Sequence, residues 1–260
     1  MKNLLLRVPE VTLLFWVVKV LSTTVGETGA DFLSTGFGLG LNGTTLFMSI
    51  LLAVSLFIQL NLQRYVPASY WTVVVLMSIV GTLITDMFVE NFGVSLVTLS
   101  IVFTITMLAG FAIWYRSEKT LSIHSIDTTK REVYYWIIIL LAFALGTGAG
   151  DLISEGINLG YGVALLTFSL SIAVVAFGYY GLKMNSTLTF WMVFILTRPL
   201  GASLGDFMIQ AKVDGGLGIG MTPVNILFLS VIVSLVAFMT LKVKSVVPVI
   251  EGSRMRADSE

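Results

Sequence analysis

The chain has 260 residues, of which 56% are hydrophobic and only 12% are charged. Because soluble domains carry roughly 25% charged residues, this composition excludes an ordinary water-soluble globular protein. The 15 basic residues balance 15 acidic residues, so no net positive charge favours nucleic acid, and the lack of Cys excludes disulfide scaffolds, zinc fingers and thiol catalysis.

Eight apolar runs, each about as long as a bilayer-crossing helix needs, follow one another along the chain. They lie near 11–33, 44–60, 70–90, 93–114, 134–154, 161–181, 188–210 and 221–241. We interpret them as helices because lipid leaves only helices and closed barrels as spanning structures, and the alternating pattern of barrel strands is absent. The sequence therefore predicts an all-α polytopic membrane protein with eight transmembrane helices in the lipid bilayer.

Basic residues outside the spans are concentrated in alternate segments, which all lie on one side of the membrane. They are Lys2, Arg7, Arg64, Arg116, Lys119, Lys130, Arg131, Lys183, Lys242, Lys244, Arg254 and Arg256. The opposite loops contain only Lys212. Because positively charged loops stay inside, both termini are predicted to be cytoplasmic.

The longest predicted cytoplasmic segment, the linker 115–133, separates two halves of four spans each. The first half is 1–114, with repeats at 11–60 and 70–114, and the second half is 134–241, with repeats at 134–181 and 188–241. The polar residues 242–260 form a cytoplasmic tail that we expect to be mobile.

One short pattern recurs four times and defines a repeat. An aromatic residue precedes Trp at Phe15-Trp16, Tyr70-Trp71, Tyr135-Trp136 and Phe190-Trp191. Fifteen residues after each Trp stands an Asp, and five residues before each Asp stands a Gly. The acids are Asp31, Asp86, Asp151 and Asp206, and the glycines are Gly26, Gly81, Gly146 and Gly201. Since each unit crosses twice, we predict four parallel two-helix repeats with pseudo-symmetry about an axis along the membrane normal.

The four aspartates are predicted to lie inside the membrane at one depth. Each follows a Trp that we place in an aromatic belt at the cytoplasmic interface, and roughly 22 Å of helix separates the two residues. An embedded acid costs roughly 2.5–3.5 kcal/mol unless it is hydrated, paired, protonated or bound to a cation. We therefore expect the aspartates to share a central polar site. In the alternative, they cap helix ends and face water.

Each Asp has an oxygen-bearing residue one helical turn away. The pairs are Asp31 with Glu27, Asp86 with Glu90, Asp151 with Glu155 and Asp206 with Gln210. Carboxylate and amide oxygens, without sulfur or imidazole, favour hard cations such as Mn²⁺, Mg²⁺, Ca²⁺, Na⁺ or a proton. The four aspartates with Glu27, Glu90 and Glu155 are therefore the candidate metal ligands.

Two basic residues fall inside the spans. Arg198, which precedes Pro199, is predicted to compensate charge when the site is empty, with Glu27 and Glu155 as proton-coupling acids. Lys19 follows Trp16 by three residues and is predicted to extend to the cytoplasmic interface. The small residues near each Asp are predicted to let the odd-numbered helices pack closely.

The segment Gly26-Glu27-Thr28-Gly29-Ala30-Asp31-Phe32, after Pro9-Glu10-Val11-Thr12 and Phe15-Trp16, resembles a bacterial membrane family built from four tandem repeats of unknown function. Members of that family are labelled uncharacterised membrane-anchored proteins. The pattern Glu27-x-Gly29-x-Asp31 is also loosely similar to the Glu-x-Gly-Asp signature of cation/manganese exporters, with one extra residue before the Asp. These resemblances imply a four-repeat fold in a bacterial cytoplasmic membrane and manganese as the first divalent candidate.

Together, these features favour a secondary transporter for a hard cation, most simply a divalent metal such as Mn²⁺ exchanged for protons. The first alternative is a proton-coupled exporter of organic cations, which would use the same acids with Trp and Phe walls. The second is a membrane scaffold or regulator that acts through the linker and the tail. No enzyme is expected because no nucleophile–base pair stands out, and no cofactor is predicted beyond a bound or transported divalent cation.

Overall fold

The structure is a computed structural model that describes residues 6–36 and 38–257, with side chains described as far as Lys242 except that of Asp214. Within that part the chain forms eight α-helices and no strand. The helices are α1 Leu13–Gly36, α2 Gly40–Asn61, α3 Pro67–Asp86, α4 Leu96–Glu118, α5 Thr129–Asp151, α6 Tyr161–Leu182, α7 Ser186–Ile209 and α8 Met221–Ala257. The prediction of an all-helical chain is confirmed for these residues.

Seven of these helices, α2 to α8, are long and apolar enough to cross a membrane by length and composition. They indicate a membrane protein. The first helix has a sufficient length of 24 residues but is not among the seven, and it carries Lys19, Glu27 and Asp31. Its charged residues reduce its apolar character, and they lie on the side that packs against other helices.

The helix starts follow from local sequence signals. Pro67 occupies the beginning of α3, where a missing N–H costs no intrahelical hydrogen bond. The side chains of Ser95, Thr128 and Asn185 accept hydrogen bonds from backbone N–H groups in the first turns of α4, α5 and α7. Such caps satisfy N–H groups that have no partner within the helix. These residues therefore fix where three of the helices begin.

The helices are arranged in an inner ring and an outer layer. In the ring, α1 packs against α3, α3 against α5, α5 against α7, and α7 against α1. Each even-numbered helix packs mainly on the odd-numbered helix that follows it, so that α2 lies on α3, α4 on α5 and α6 on α7, while α8 closes the series on α1. The even helices are largely exposed, as side chains such as Phe57, Val174 and Val233 show.

The repeated glycines lie where neighbouring odd helices approach most closely. A Cβ atom added to Gly26 would overlap Ser78 of α3, and one added to Gly146 would overlap Arg198 of α7. In the same way Gly81 faces Phe143 of α5, and Gly201 faces Thr23 of α1. Each Gly thus contacts the next odd helix at an equivalent position, eight residues before that helix's Asp. The prediction that small residues allow close packing is confirmed for these four glycines.

The repeated aromatic pairs form one layer at the opposite end of the odd helices from the aspartates. Rings of neighbouring odd helices lie 5.6 Å apart for Phe15 and Trp71, 6.5 Å for Tyr70 and Tyr135, 6.0 Å for Tyr135 and Trp191, and 6.1 Å for Phe15 and Phe190. The Tyr70 and Tyr135 hydroxyls also share a hydrogen bond. We call this end of the bundle the aromatic end and the other the acidic end.

The tryptophans lie near one end of the odd helices, but three of the four face the interior of the bundle, which corrects the expectation that they face an interface. Trp71, Trp136 and Trp191 are buried, with 1%, 2% and 4% of their surface exposed. The physical reason is that each of these rings packs, in a tilted arrangement, against the aromatic residue that precedes the Trp of a neighbouring repeat, and this contact buries apolar surface within the bundle. Trp16 is half-buried.

The segments outside the predicted spans are shorter than expected. Since α4 ends at Glu118 and α5 begins at Thr129, only about half of the predicted linker 115–133 lies between them. Arg131 in α5 donates to Glu118 and Asp127 at 3.0 Å each, which fastens this loop to the bundle. The predicted tail begins inside α8, which continues to Ala257. Lys2 and residues 258–260 lie outside the described residues.

We predict that Gly81→Ala lowers the free energy of unfolding by about 1–3 kcal/mol, because the new methyl group has no room. Its Cβ would lie 2.9 Å from Phe143 Cβ and 3.2 Å from the Ala144 backbone nitrogen. The matched control is Gly29→Ala, whose Cβ would make ordinary contacts at 3.6 Å or more. Thermal unfolding in detergent should separate the two, and equal stability of both variants would contradict the close α3–α5 contact.

Candidate functional site

The centre of the inner ring is occupied by the side chain of Arg198, which is fully buried. Its Nη2 atom donates to Glu27 Oε2 at 3.0 Å, to Thr147 Oγ1 at 2.7 Å, and to Thr82 Oγ1. Each of these three acceptors stands four residues before its repeat's Asp, in the first, second and third repeats. The guanidinium of the fourth repeat is thus held by one equivalent residue from each of the other three.

The equivalent position in the fourth repeat holds Ala202, which offers no hydrogen-bonding side chain. Arg198 also donates from Nη1 to the backbone oxygen of Thr23 at 3.3 Å, which ties α7 to α1. Its Nε has no hydrogen-bond partner among the described side chains and backbone. Thr82 and Thr147 bond back to carbonyls of their own helices, so their hydroxyl groups are held in place for Arg198.

Three carboxylates lie close together beside this guanidinium. Glu27, Asp151 and Asp206 each offer an oxygen atom, and these three oxygens all lie within 4.8 Å of one another. Glu27 and Asp206 are buried, with 5% and 7% of their surface exposed, and Asp151 is half-buried. Oxygen atoms that converge in this way are the donor set of a hard divalent cation.

The remaining two aspartates, Asp31 and Asp86, lie outside this convergent set of three. Asp31 and Asp86 are half-buried, and the strongest charge–charge interaction of each is with Glu27. The same holds for Asp151 and Asp206. The structure thus brings two of the four predicted aspartates, Asp151 and Asp206, together with Glu27, while Asp31 and Asp86 interact with that glutamate only at longer range.

Glu90 and Glu155 occupy the rim of the site rather than its interior. Both are exposed, because α3 and α5 continue past their aspartates as π-helical turns, Met87–Asn91 and Leu152–Gly156, that carry these glutamates beyond the packed part of the ring. Glu90 still interacts with Asp31 and Asp86. Glu155 accepts a hydrogen bond from the Tyr161 hydroxyl at 3.0 Å. The acids thus run from an exposed rim to a buried centre, an arrangement that concentrates cations.

The prediction that Lys19 extends to an interface is wrong. Its side chain is fully buried, and Nζ donates to Thr197 Oγ1 at 3.3 Å. The ammonium group also lies 4.3 Å from the centre of the Phe143 ring and 4.2 Å from that of Phe194. Lys19 points into the ring of odd helices because these aromatic faces and the hydroxyl provide a favourable site for the cationic head within the bundle.

Sequence reasoning missed the roles of Thr82, Thr147 and Thr197. The signal for the first two was present, because both share the register position of Glu27. This signal could be interpreted only once the structure showed that the positions four residues before each repeat Asp lie close together. For Thr197 and for the aromatic neighbours of Lys19, the contacts join α7 and α5 to α1, and no spacing within a single helix indicates them.

Comparison with known proteins agrees with the repeat pattern. The family described as Repeat of Unknown Function (DUF347) matches residues 14–65, 69–120, 134–185 and 189–245. Each matched segment contains one aromatic-Trp pair, one repeat Gly and one repeat Asp. No curated protein and no solved structure matches the chain.

We predict that Arg198→Met lowers the free energy of unfolding by about 3–5 kcal/mol, because it leaves Glu27 buried without its ion-pair partner. Adding Glu27→Gln to this variant should recover part of the loss, since the unpaired charge is then removed. Chemical or thermal unfolding of the single and double variants in detergent measures this coupling. If the losses in free energy of unfolding of the two single variants simply add up in the double variant, Arg198 and Glu27 do not stabilise the fold as a pair.

Proposed function

The chain belongs to the DUF347 family, and we propose that it is a secondary transporter for a hard cation, with Mn²⁺ exchanged for protons as the first candidate. The observation that carries this proposal is the convergence of Glu27, Asp151 and Asp206, whose oxygens lie within 4.8 Å of one another. Such a cluster, inside a bundle of apolar helices, is suited to binding an ion rather than to a structural role alone.

The charge of the cluster supports a cationic substrate. Arg198 pairs with Glu27, whereas Asp151 and Asp206, whose oxygens lie within 4.8 Å of a Glu27 oxygen, form no ion pair with a described basic residue. Each uncompensated acid within a membrane costs roughly 2.5–3.5 kcal/mol, so bound protons or a bound cation must neutralise the others. Exchange between these two forms of neutralisation is the physical basis of cation/proton antiport.

The donor chemistry supports a hard metal ion. The site offers carboxylate oxygens and hydroxyl groups, and the chain has no Cys to supply sulfur. Such oxygen-only sets suit Mn²⁺, Mg²⁺ and Ca²⁺ better than soft metals. The loose similarity of Glu27-x-Gly29-x-Asp31 to the signature of manganese exporters adds support for Mn²⁺ as the first ion to test.

Arg198 supplies charge compensation in this proposal. It pairs with Glu27 at 3.0 Å in the described arrangement, and a divalent cation that binds Glu27 would compete with the guanidinium for the same oxygen. Displacement of Arg198 would release its hydrogen bonds to Thr82 and Thr147, which belong to α3 and α5. Cation binding is thereby coupled to the packing of the inner ring.

The proposed architecture is eight transmembrane helices in four parallel repeats with pseudo-symmetry about the membrane normal. The cyclic packing of odd helices, and the equivalent glycine contacts between them, support this arrangement. We place both termini in the cytoplasm of a bacterium and the acidic end on the outer side of its cytoplasmic membrane, on the basis of the distribution of basic residues.

The proposal predicts that Asp151→Asn and Asp206→Asn reduce Mn²⁺ flux on the order of tenfold or more, because each removes a charged ligand. Flux is measured in vesicles with an imposed pH gradient. Asp127→Asn is the matched control, since Asp127 lies between α4 and α5 with a side chain that is 47% exposed, and it should transport normally. Unchanged flux in both Asp151→Asn and Asp206→Asn would overturn the proposal.

The same vesicles distinguish the alternatives. Flux of a quaternary ammonium ion without Mn²⁺ flux would favour the exporter of organic cations. A scaffold would show no flux of either substrate, and its activity in cells would survive the Asp→Asn changes but not replacement of the loop between α4 and α5.

A further inference from the structure

A cavity lies at the aromatic end of the bundle, and none of the clustered carboxylates lines it. It has a volume of about 530 Å³ and lies between α1, α6, α7 and the loop that connects α4 to α5. His124 and Ser122 line it at the loop, Tyr179 lines it on α6, and Thr197 lines it on α7. Nothing in the proposed cation site accounts for this space.

The cavity extends deep into the bundle. Its lining on α7 runs from Ser186, the first residue of the helix, to Leu200. A helix rises 1.5 Å per residue, so this distance is roughly 21 Å, more than half of a hydrocarbon slab of about 30 Å. The cavity therefore reaches from the end of the bundle to the depth of Thr197, which immediately precedes Arg198.

The inner part of the cavity contacts the polar centre through one residue. Thr197 lines the cavity, and its hydroxyl accepts the hydrogen bond from Lys19 Nζ at 3.3 Å. The Lys19 ammonium group also lies over the rings of Phe143 and Phe194, on helices that belong to the inner ring. Along the central axis, by contrast, the aromatic layer leaves the four odd helices in ring-to-ring contact.

We propose that this cavity is the inner vestibule of the cation pathway. The route from the side of the termini runs between α1, α6 and α7 instead of along the axis, and Lys19 with its two aromatic neighbours forms the barrier between vestibule and carboxylate cluster. The vestibule is large enough for water, and the hydroxyl groups and His124 along its wall supply hydrogen-bond partners. This inference rests on the proposed transport function for its role, but its hydration can be tested alone.

The chain contains no Cys, so single cysteines can be introduced without further changes. We predict that Ala176→Cys, in the vestibule, reacts with a membrane-impermeant methanethiosulfonate ammonium reagent added on the side of the termini. Val174→Cys is the matched control, because Val174 lies two residues away on α6 and is 70% exposed on the outer surface. Since thiolates form in water and not in lipid, the reaction rates should differ on the order of tenfold or more.

Equal reaction rates for the two cysteines would show that the vestibule is not hydrated, whatever the transport assays show.

A separate test concerns the role of the cavity in transport. Modification of Val193→Cys, which lines the cavity on α7, should block Mn²⁺ flux in vesicles. A reactive Val193→Cys whose modification leaves flux unchanged would overturn the role of the cavity as a pathway. If the unmodified chain moves no Mn²⁺ at all, the proposed function fails, while the labelling rates still decide whether the cavity is open to water.

Discussion

The buried guanidinium of Arg198 is the interaction on which the rest of the structure depends. An arginine inside an apolar bundle is costly unless its charge is paired and its N–H groups find acceptors. Here Glu27, Thr82 and Thr147 accept its hydrogen bonds, and they come from α1, α3 and α5. One side chain thus connects all four odd helices, and it also fixes the place where the acids gather.

The interior of the bundle is built as layers at fixed offsets along the repeat. The aromatic pairs form one layer, and the positions eight, four and zero residues from each Asp form the next three. Because the offsets are the same in every repeat, the chemical properties of the site come from the side chains that differ between repeats. The second layer holds Thr23, Ser78, Phe143 and Arg198, and the third holds Glu27, Thr82, Thr147 and Ala202. A ring of four odd helices therefore encloses a site to which each repeat contributes different side chains.

Much of the architecture could be predicted from the sequence because it depends on spacing within single helices. The length of the apolar runs predicted the helices, and the recurring small residues predicted the close approach of the odd helices. The repeat spacing does not state which repeats are neighbours, or which side chain fills the centre. Several features depend instead on contacts between repeats. They are the partners of Arg198, the inward direction of Lys19 and the packing of Trp71, Trp136 and Trp191. They follow from the cyclic order of α1, α3, α5 and α7.

The presence of a cation site is tested most directly by measuring Mn²⁺ binding to the purified chain in detergent at neutral pH, with isothermal titration calorimetry. We expect Mn²⁺ to bind saturably to the unmodified chain and to the Asp127→Asn variant. Binding should be lost in the double variant Asp151→Asn/Asp206→Asn, which keeps the helices but removes two of the three converging carboxylates. Equal Mn²⁺ binding by the double variant and the unmodified chain, or none by either, would contradict a cation site at this cluster.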